Sequence, residues 1–186
     1  MNPLNAAVSV SSESNHSQNY FRHGWYKFPL CAFFLLLALL ASRVAYAQTT
    51  YTVTDLTDSA SDTGSLRYAV NTAANGDTIN FASNLIGTIT LTNGTLTIAN
   101  NITITGPGAA LLTISGNNAA TVFTIAGGST VSISELNIAN GNGQWSGGIY
   151  SEGTLTIDKC AFSGNTATLF AGAIFNQGSL TVNGSI

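Results

Sequence analysis

The sequence predicts an all-β solenoid, a right-handed parallel β-helix closed at its N-terminal end by a short helix, and three observations carry that prediction. The triplets Val131-Ser132-Ile133, Leu155-Thr156-Ile157 and Leu180-Thr181-Val182 are each apolar-polar-apolar, so the same pattern returns at a nearly constant interval, at Ile133, Ile157 and Val182. In step with it, Gly147-Gly148-Ile149-Tyr150 returns as Gly172-Ala173-Ile174-Phe175. From Thr78 onward short β-type runs alternate with Gly/Asn turns at a spacing too tight for crossover helices. A repeat of this length made of strands and turns is expected to stack coil on coil by parallel pairing. The rival, an antiparallel sandwich of hairpins, gives no reason for the recurrence.

Residues 1–47 lie outside that pattern. Arg22 and Lys27 precede an uncharged stretch from Phe28 to Ser42, and Ala45-Tyr46-Ala47 offers a small-x-small cleavage site before Gln48. This is the order of parts in a secretory signal peptide, here with a long polar n-region. The apolar core is shorter than the roughly 20 residues a spanning helix needs, which disfavours an uncleaved anchor. Cys31 lacks the small residues expected just before a lipid-modified cysteine. The expected localisation is therefore export, to the medium or to a bacterial cell surface.

Residues 48–77 form the expected N-terminal cap segment. Tyr51-Thr52-Val53-Thr54 suits a short strand. Ser65 stands at an N-cap position, Leu66, Ala69, Val70 and Ala73 follow at helical spacing, and Asn75-Gly76 ends the pattern, giving a helix over 65–74. An amphipathic helix there would cover the apolar end of the first coil. Residues 78–186 then supply about four to five coils. Their strand runs include Thr78-Ile79-Asn80-Phe81, Ile89-Thr90-Leu91, Leu96-Thr97-Ile98, Ile102-Thr103-Ile104, Leu112-Thr113-Ile114 and Val122-Phe123-Thr124-Ile125. Apolar residues are expected to point inward and to stack about 4.8 Å apart along the axis, with Thr, Ser and Asn outward.

The stretch from Gln48 to Ile186 keeps seven acids, two bases (Arg67 and Lys159), no histidine and one cysteine, Cys160. A charge-poor, mildly acidic surface argues against nucleic acid as a partner. A single cysteine excludes an internal disulfide, and Cys160, sharing a register with Leu136 and Ser185, is expected to be a small buried filler. No residue is assigned as catalytic, cofactor-binding or metal-binding. Asp158 aligns with Ser134 and Asn183, so its column holds no second acid, and Glu135 aligns with Lys159 as an exposed pair. Asp55, Asp58 and Asp62 form a loose acidic group ahead of the helix, expected to be a solvated loop.

Several of these segments resemble a known group. Gly64-Ser65-Leu66-Arg67-Tyr68-Ala69-Val70 and Gly76-Asp77-Thr78-Ile79-Asn80-Phe81 look like the N-terminal capping segment of secreted bacterial right-handed parallel β-helix proteins. Phe162-Ser163-Gly164-Asn165 matches the Phe-x-x-Asn half of the repeat of polymorphic outer membrane proteins, and the two Gly-rich segments approximate its Gly-Gly-Ala-Ile half. Ile138-Ala139-Asn140-Gly141 departs from it, lacking both the Phe and the final Asn. The resemblance implies a pectin-lyase-like fold in an exported, adhesin-type protein whose partners are glycans, a host or neighbouring cell surface, or other copies. Relatives of that kind are usually longer; Ile186 falls inside a coil, and the expectation is a fragment of a longer passenger protein, able to self-associate through an open end.

Two other functions share the sequence. Polysaccharide lyases and hydrolases use the same fold, but need paired carboxylates, or metal-holding acids with a Lys or Arg base, on one outer face. The hydroxyl pairs Thr130/Ser132, Thr154/Thr156 and Ser179/Thr181 form a ladder three coils tall that suits an ice-binding face, although Thr is also the ordinary filler of a strand surface. The pairs at 88/90, 95/97 and 103/105 recur too soon to stack and are expected on different faces. Asn93-Gly94-Thr95, Asn101-Ile102-Thr103 and Asn183-Gly184-Ser185 match a glycosylation acceptor pattern short enough to arise by chance.

Overall fold

A computed structural model describes residues 47–186; the segment read as a signal peptide lies, up to its last residue Ala47, outside the described residues. Every strand pair is parallel, and the chain winds about five turns of a β-solenoid. Three long sheets and one short ribbon run along the stack. The first sheet stacks β1 (Thr50–Val53), β2 (Thr78–Phe81), β5 (Ile102–Thr105), β8 (Thr130–Ser134), β12 (Thr154–Asp158) and β16 (Ser179–Asn183). The second stacks β3 (Gly87–Thr90), β6 (Leu112–Ser115), β9 (Asn137–Ala139) and β13 (Ala161–Ser163). The third stacks β4 (Leu96–Ile98), β7 (Phe123–Ile125), β11 (Ile149–Ser151) and β15 (Ile174–Asn176), and a two-stranded ribbon joins β10 (Asn142–Gly143) to β14 (Thr166–Ala167).

The register is the one the repeat dictates. Ile133 pairs with Ile157 and Ile157 with Val182, while Tyr150 pairs with Phe175. A slip of one residue would turn every apolar side chain outward. Instead Ile104, Ile133 and Ile157 are fully buried in one column, and Ile89, Ile114 and Ile138 in another. Leu136 and Cys160 fill the corner between the first two sheets, where Ala161 N–H donates to Leu136 O and Cys160 N–H to Ser185 Oγ. Beside them Glu135, Lys159 and Gly184 share a left-handed backbone, with φ of 56°, 50° and 51°. One turn of the chain is thus repeated three coils running, with glycine at only one of the three positions, because the stacked backbone overrides the local preference for glycine at Glu135 and Lys159.

The helix α1 (Leu66–Thr72) lies within the expected span, with Ser65 as N-cap accepting from Tyr68 N–H at 3.2 Å. It buries Leu66, Ala69 and Val70 against β1 and β4. Its C-terminal end is tied down by Asp77, whose two carboxylate oxygens accept from Thr49 N–H and Ala74 N–H, each at 2.8 Å. That carboxylate joins the helix end to the start of β1, and β1 itself pairs with β2. The parallel stack therefore begins at Thr50, ahead of the helix.

Candidate functional site

The Phe-x-x-Asn and Gly-Gly segments build one corner of the solenoid, between the second and third sheets. Asn165 accepts from Gly141 N–H at 2.8 Å and donates to Ile138 O at 2.7 Å, so its side chain stands in for the backbone pairing lost where the chain turns. The absence of Asn at position 141 has a steric reason: a Cβ on Gly141 would run into Gly147 O. Gly147 and Gly148 are equally confined, since a Cβ there would collide with Thr166 O and Ala173 O respectively. These glycines let adjacent coils close to backbone contact.

The tight corner carries the most conspicuous surface feature of the described residues. Trp145 immediately precedes it and Phe170 occupies the same position one coil on, with Ala171 N–H donating to Trp145 O at 3.2 Å. Their rings stack at 5.2 Å between centroids and 5° between planes. Tyr150 and Phe175, register partners in the third sheet, stack at 6.0 Å and 9°, and Phe170 lies 4.5 Å from Phe175. Four near-parallel rings thus form a block with Trp145 40% and Phe170 56% exposed. Tyr150 donates its hydroxyl to Glu152 Oε1 at 2.5 Å and lies 3.2 Å from Gln177 Oε1. The Glu152 carboxylate holding that proton pushes the phenol pKa up. Sequence reasoning missed the block, although the signal was in view: Trp145 and Phe170, like Tyr150 and Phe175, stand one repeat apart.

The first sheet presents a different face. Thr50, Thr78, Thr103, Ser132, Thr156 and Thr181 are consecutive register partners, so the hydroxyl ladder is six rungs tall rather than three. A flanking column runs Asn101 to Thr130, Thr154 and Ser179, with Asn101 Oδ1 accepting from Thr130 N–H at 2.7 Å. A shallow open depression lies on this face, lined by Gln48, Asp77, Asn101, Thr103, Thr130 and Thr156 among others. The remaining Thr pairs fall on other faces: Thr88 and Thr90 in β3, Thr97 in β4.

Most of the described ionisable residues are paired or buried, and none of them forms a stacked acidic column. Asp158 aligns with Ser134 and Asn183, and Lys159 Nζ lies 4.0 Å from Glu135 and 3.9 Å from Asp158, all solvent-facing. Cys160 is buried, its thiol pKa raised by desolvation. The acidic group ahead of the helix departs from expectation. Asp58 is no solvated loop residue: its side chain is 1% exposed and pairs with Arg67, whose Nε donates to Oδ1 at 2.5 Å and Nη2 to Oδ2 at 3.2 Å. Thr92 N–H and Asn93 N–H add bonds of 2.7 and 2.8 Å to Oδ2. Desolvation pushes this carboxyl up, but Arg67 and the two N–H groups outweigh it and hold the pKa below the usual value. Arg67 also donates to Gly94 O and Thr95 O, so the pair bolts the loop and helix to the second coil. Asp55 and Asp62 do stay in the loop, accepting from Thr57 and Gly64. No group of three or more metal-ligating side chains occurs among the described residues. Compared with protein-family models, curated proteins and solved structures, the chain matches none of them.

Proposed function

We propose that this β-solenoid is a non-catalytic, exported surface scaffold of the adhesin type, akin to the repeat portion of polymorphic outer membrane proteins, whose outer surface contacts glycans or neighbouring cells. The observation that carries the proposal is the exposed aromatic block on a surface whose two cations from Gln48 onward, Arg67 and Lys159, are already paired with carboxylates. Aromatic rings left in water at a rigid corner mark a surface available for contact, whereas the buried pair of Asp58 and Arg67 serves stability. A lyase base would have to come from Arg67, which is buried, or from Lys159, which faces Glu135 and Asp158.

The test is to express Gln48–Ile186 and incubate it with pectin, alginate and other uronates in the presence of Ca²⁺, alongside a glycan array and whole cells. Binding without turnover supports the scaffold. Release of unsaturated oligosaccharides, abolished by changing Lys159, would replace it with a lyase. Export is tested by fusing residues 1–47 to a reporter enzyme, and retention in the cytoplasm would count against it. One observation favours a second reading, the six-rung hydroxyl column: thermal hysteresis in cold solution would make the first sheet an ice-binding face.

A further inference from the structure

We infer that the aromatic block is a binding site for neutral pyranose glycans, with Trp145 and Phe170 as the stacking surface and Glu152 and Gln177 as the hydroxyl-reading rim. This rests on the reading of the outer surface as glycan-contacting and assigns it to one corner. The chemistry of the site matches the two faces of a sugar. A pyranose has an apolar C–H face, which suits the face of an indole or phenyl ring, and a girdle of hydroxyls, which suits carboxylate and amide oxygens. Both partners are present: rings 40% and 56% exposed at Trp145 and Phe170, and Glu152 and Gln177 meeting at the Tyr150 hydroxyl.

Charge selects the class of glycan. Glu152 forms no salt bridge among the described residues, and the two cations from Gln48 onward are engaged elsewhere, Arg67 by Asp58 and Lys159 by Glu135 and Asp158. A uronate brought to this corner would meet an unneutralised carboxylate with no compensating base, so acidic polysaccharides are disfavoured and uncharged ones admitted. Preorganisation favours binding as well. The rings are fixed against one another at 4.5 to 6.4 Å and anchored by backbone pairing, so little side-chain freedom remains to be lost when a sugar seats on them.

The experiment uses the full chain carrying Trp25→Phe, which leaves Trp145 as the one tryptophan. Oligomers of glucose, mannose, galactose and N-acetylglucosamine are titrated while Trp145 emission is followed, with oligogalacturonate as the acidic comparison. The expected result is a saturable emission change with at least one neutral series and none with oligogalacturonate. By calorimetry, Phe170→Ala weakens binding about tenfold or more, Trp145→Phe keeps it within about threefold, and Glu152→Gln admits oligogalacturonate. Circular dichroism checks each variant, and Glu152→Gln and Trp145→Phe, which preserve the rings and the shape of the rim, serve if Phe170→Ala does not fold. No saturable change with any neutral series overturns the site. So does binding unaltered in folded Phe170→Ala, or self-association that Phe170→Ala abolishes, which would make the block an interface between copies. Glycan-array binding that persists in Phe170→Ala leaves the scaffold reading standing while removing this site; uronate turnover removes the scaffold reading itself.

Discussion

Replacing Asp58 by Ala is expected to loosen the whole N-terminal end of the solenoid. The substitution removes the carboxylate facing the Arg67 guanidinium and leaves Thr92 N–H and Asn93 N–H without their acceptor. With the two side chains 1% and 10% exposed, water does not replace the lost partner at its full strength. Stranding one half of a buried ion pair costs about 3–5 kcal/mol. For a unit of this size that lowers the melting temperature by about 10–15 °C. Converting both residues to apolar ones, Asp58→Leu with Arg67→Met, should cost less than Asp58→Ala alone, because no charge is then left buried. The pH dependence carries the same sign. The folded-state pKa is depressed, so the unfolded chain binds the proton more readily; the contribution is fully present above the ordinary carboxylate range and is lost as pH falls below about 4. Urea denaturation at pH 7 and at pH 3, with hydrogen exchange read at Thr92 and Asn93, measures both effects. A stability for Asp58→Ala within about 1 kcal/mol of the parent, or an acid limb of unchanged slope, would refute the clamp.

The described contacts set three further outcomes. Asn165→Ala should cost about 2–3 kcal/mol, since Gly141 N–H and Ile138 O each lose a partner inside the corner, and Asn165→Asp should recover only the first of the two; chemical denaturation decides. Lys159→Ala should change stability by less than about 1 kcal/mol, because its two pairs are exposed and salt-screened, and a larger loss in low-salt melts would show that the pairs matter more than their geometry allows. In the Cys31→Ser chain, Cys160 should resist iodoacetamide in the folded state at neutral pH and react on unfolding, its thiol being buried with a raised pKa; rapid labelling of that folded chain would contradict the burial.

What the sequence discloses, and what it hides, follows from how the coils are spaced. Ile133, Ile157 and Val182 announce their register because the chain returns to the same triplet at a nearly constant interval. Earlier the return is slower and irregular, from Thr50 to Thr78 and from Ile102 to Val131. Longer loops on those coils conceal the phase, which is why only three rungs of the hydroxyl ladder are visible in the sequence. Asp58 deceives for a different reason. Arg67 stands only nine residues on, but the N–H donors that bury the carboxylate, Thr92 and Asn93, lie 34 and 35 residues away, and a turn-rich Asp/Ser segment carries no local sign of them. The aromatic block stands in phase but is hidden by its neighbours, since the Gly-Gly segment signals a turn and draws attention from the rings beside it.

That proximity is itself the physical link between the repeat and the site. In a solenoid any residue type that recurs in register becomes a column, so chemistry is laid out in stripes: hydroxyls on the first sheet, rings at the corner before the third. The stripe of rings depends on coils approaching to backbone contact, and Gly148 lies beside the rings, with Ala173 O standing where a Cβ would have to go. Gly148→Ala should therefore push β11 and β15 apart at this corner, and the loss should appear first in the ring block rather than in the buried Ile columns of the first two sheets. In the Trp25→Phe background, Trp145 emission would shift toward that of a solvated indole while far-ultraviolet dichroism stayed near the parent's. If both signals instead collapsed together, the corner would be part of the cooperative core, and the rings would be better understood as stabilising the fold than as presented by it.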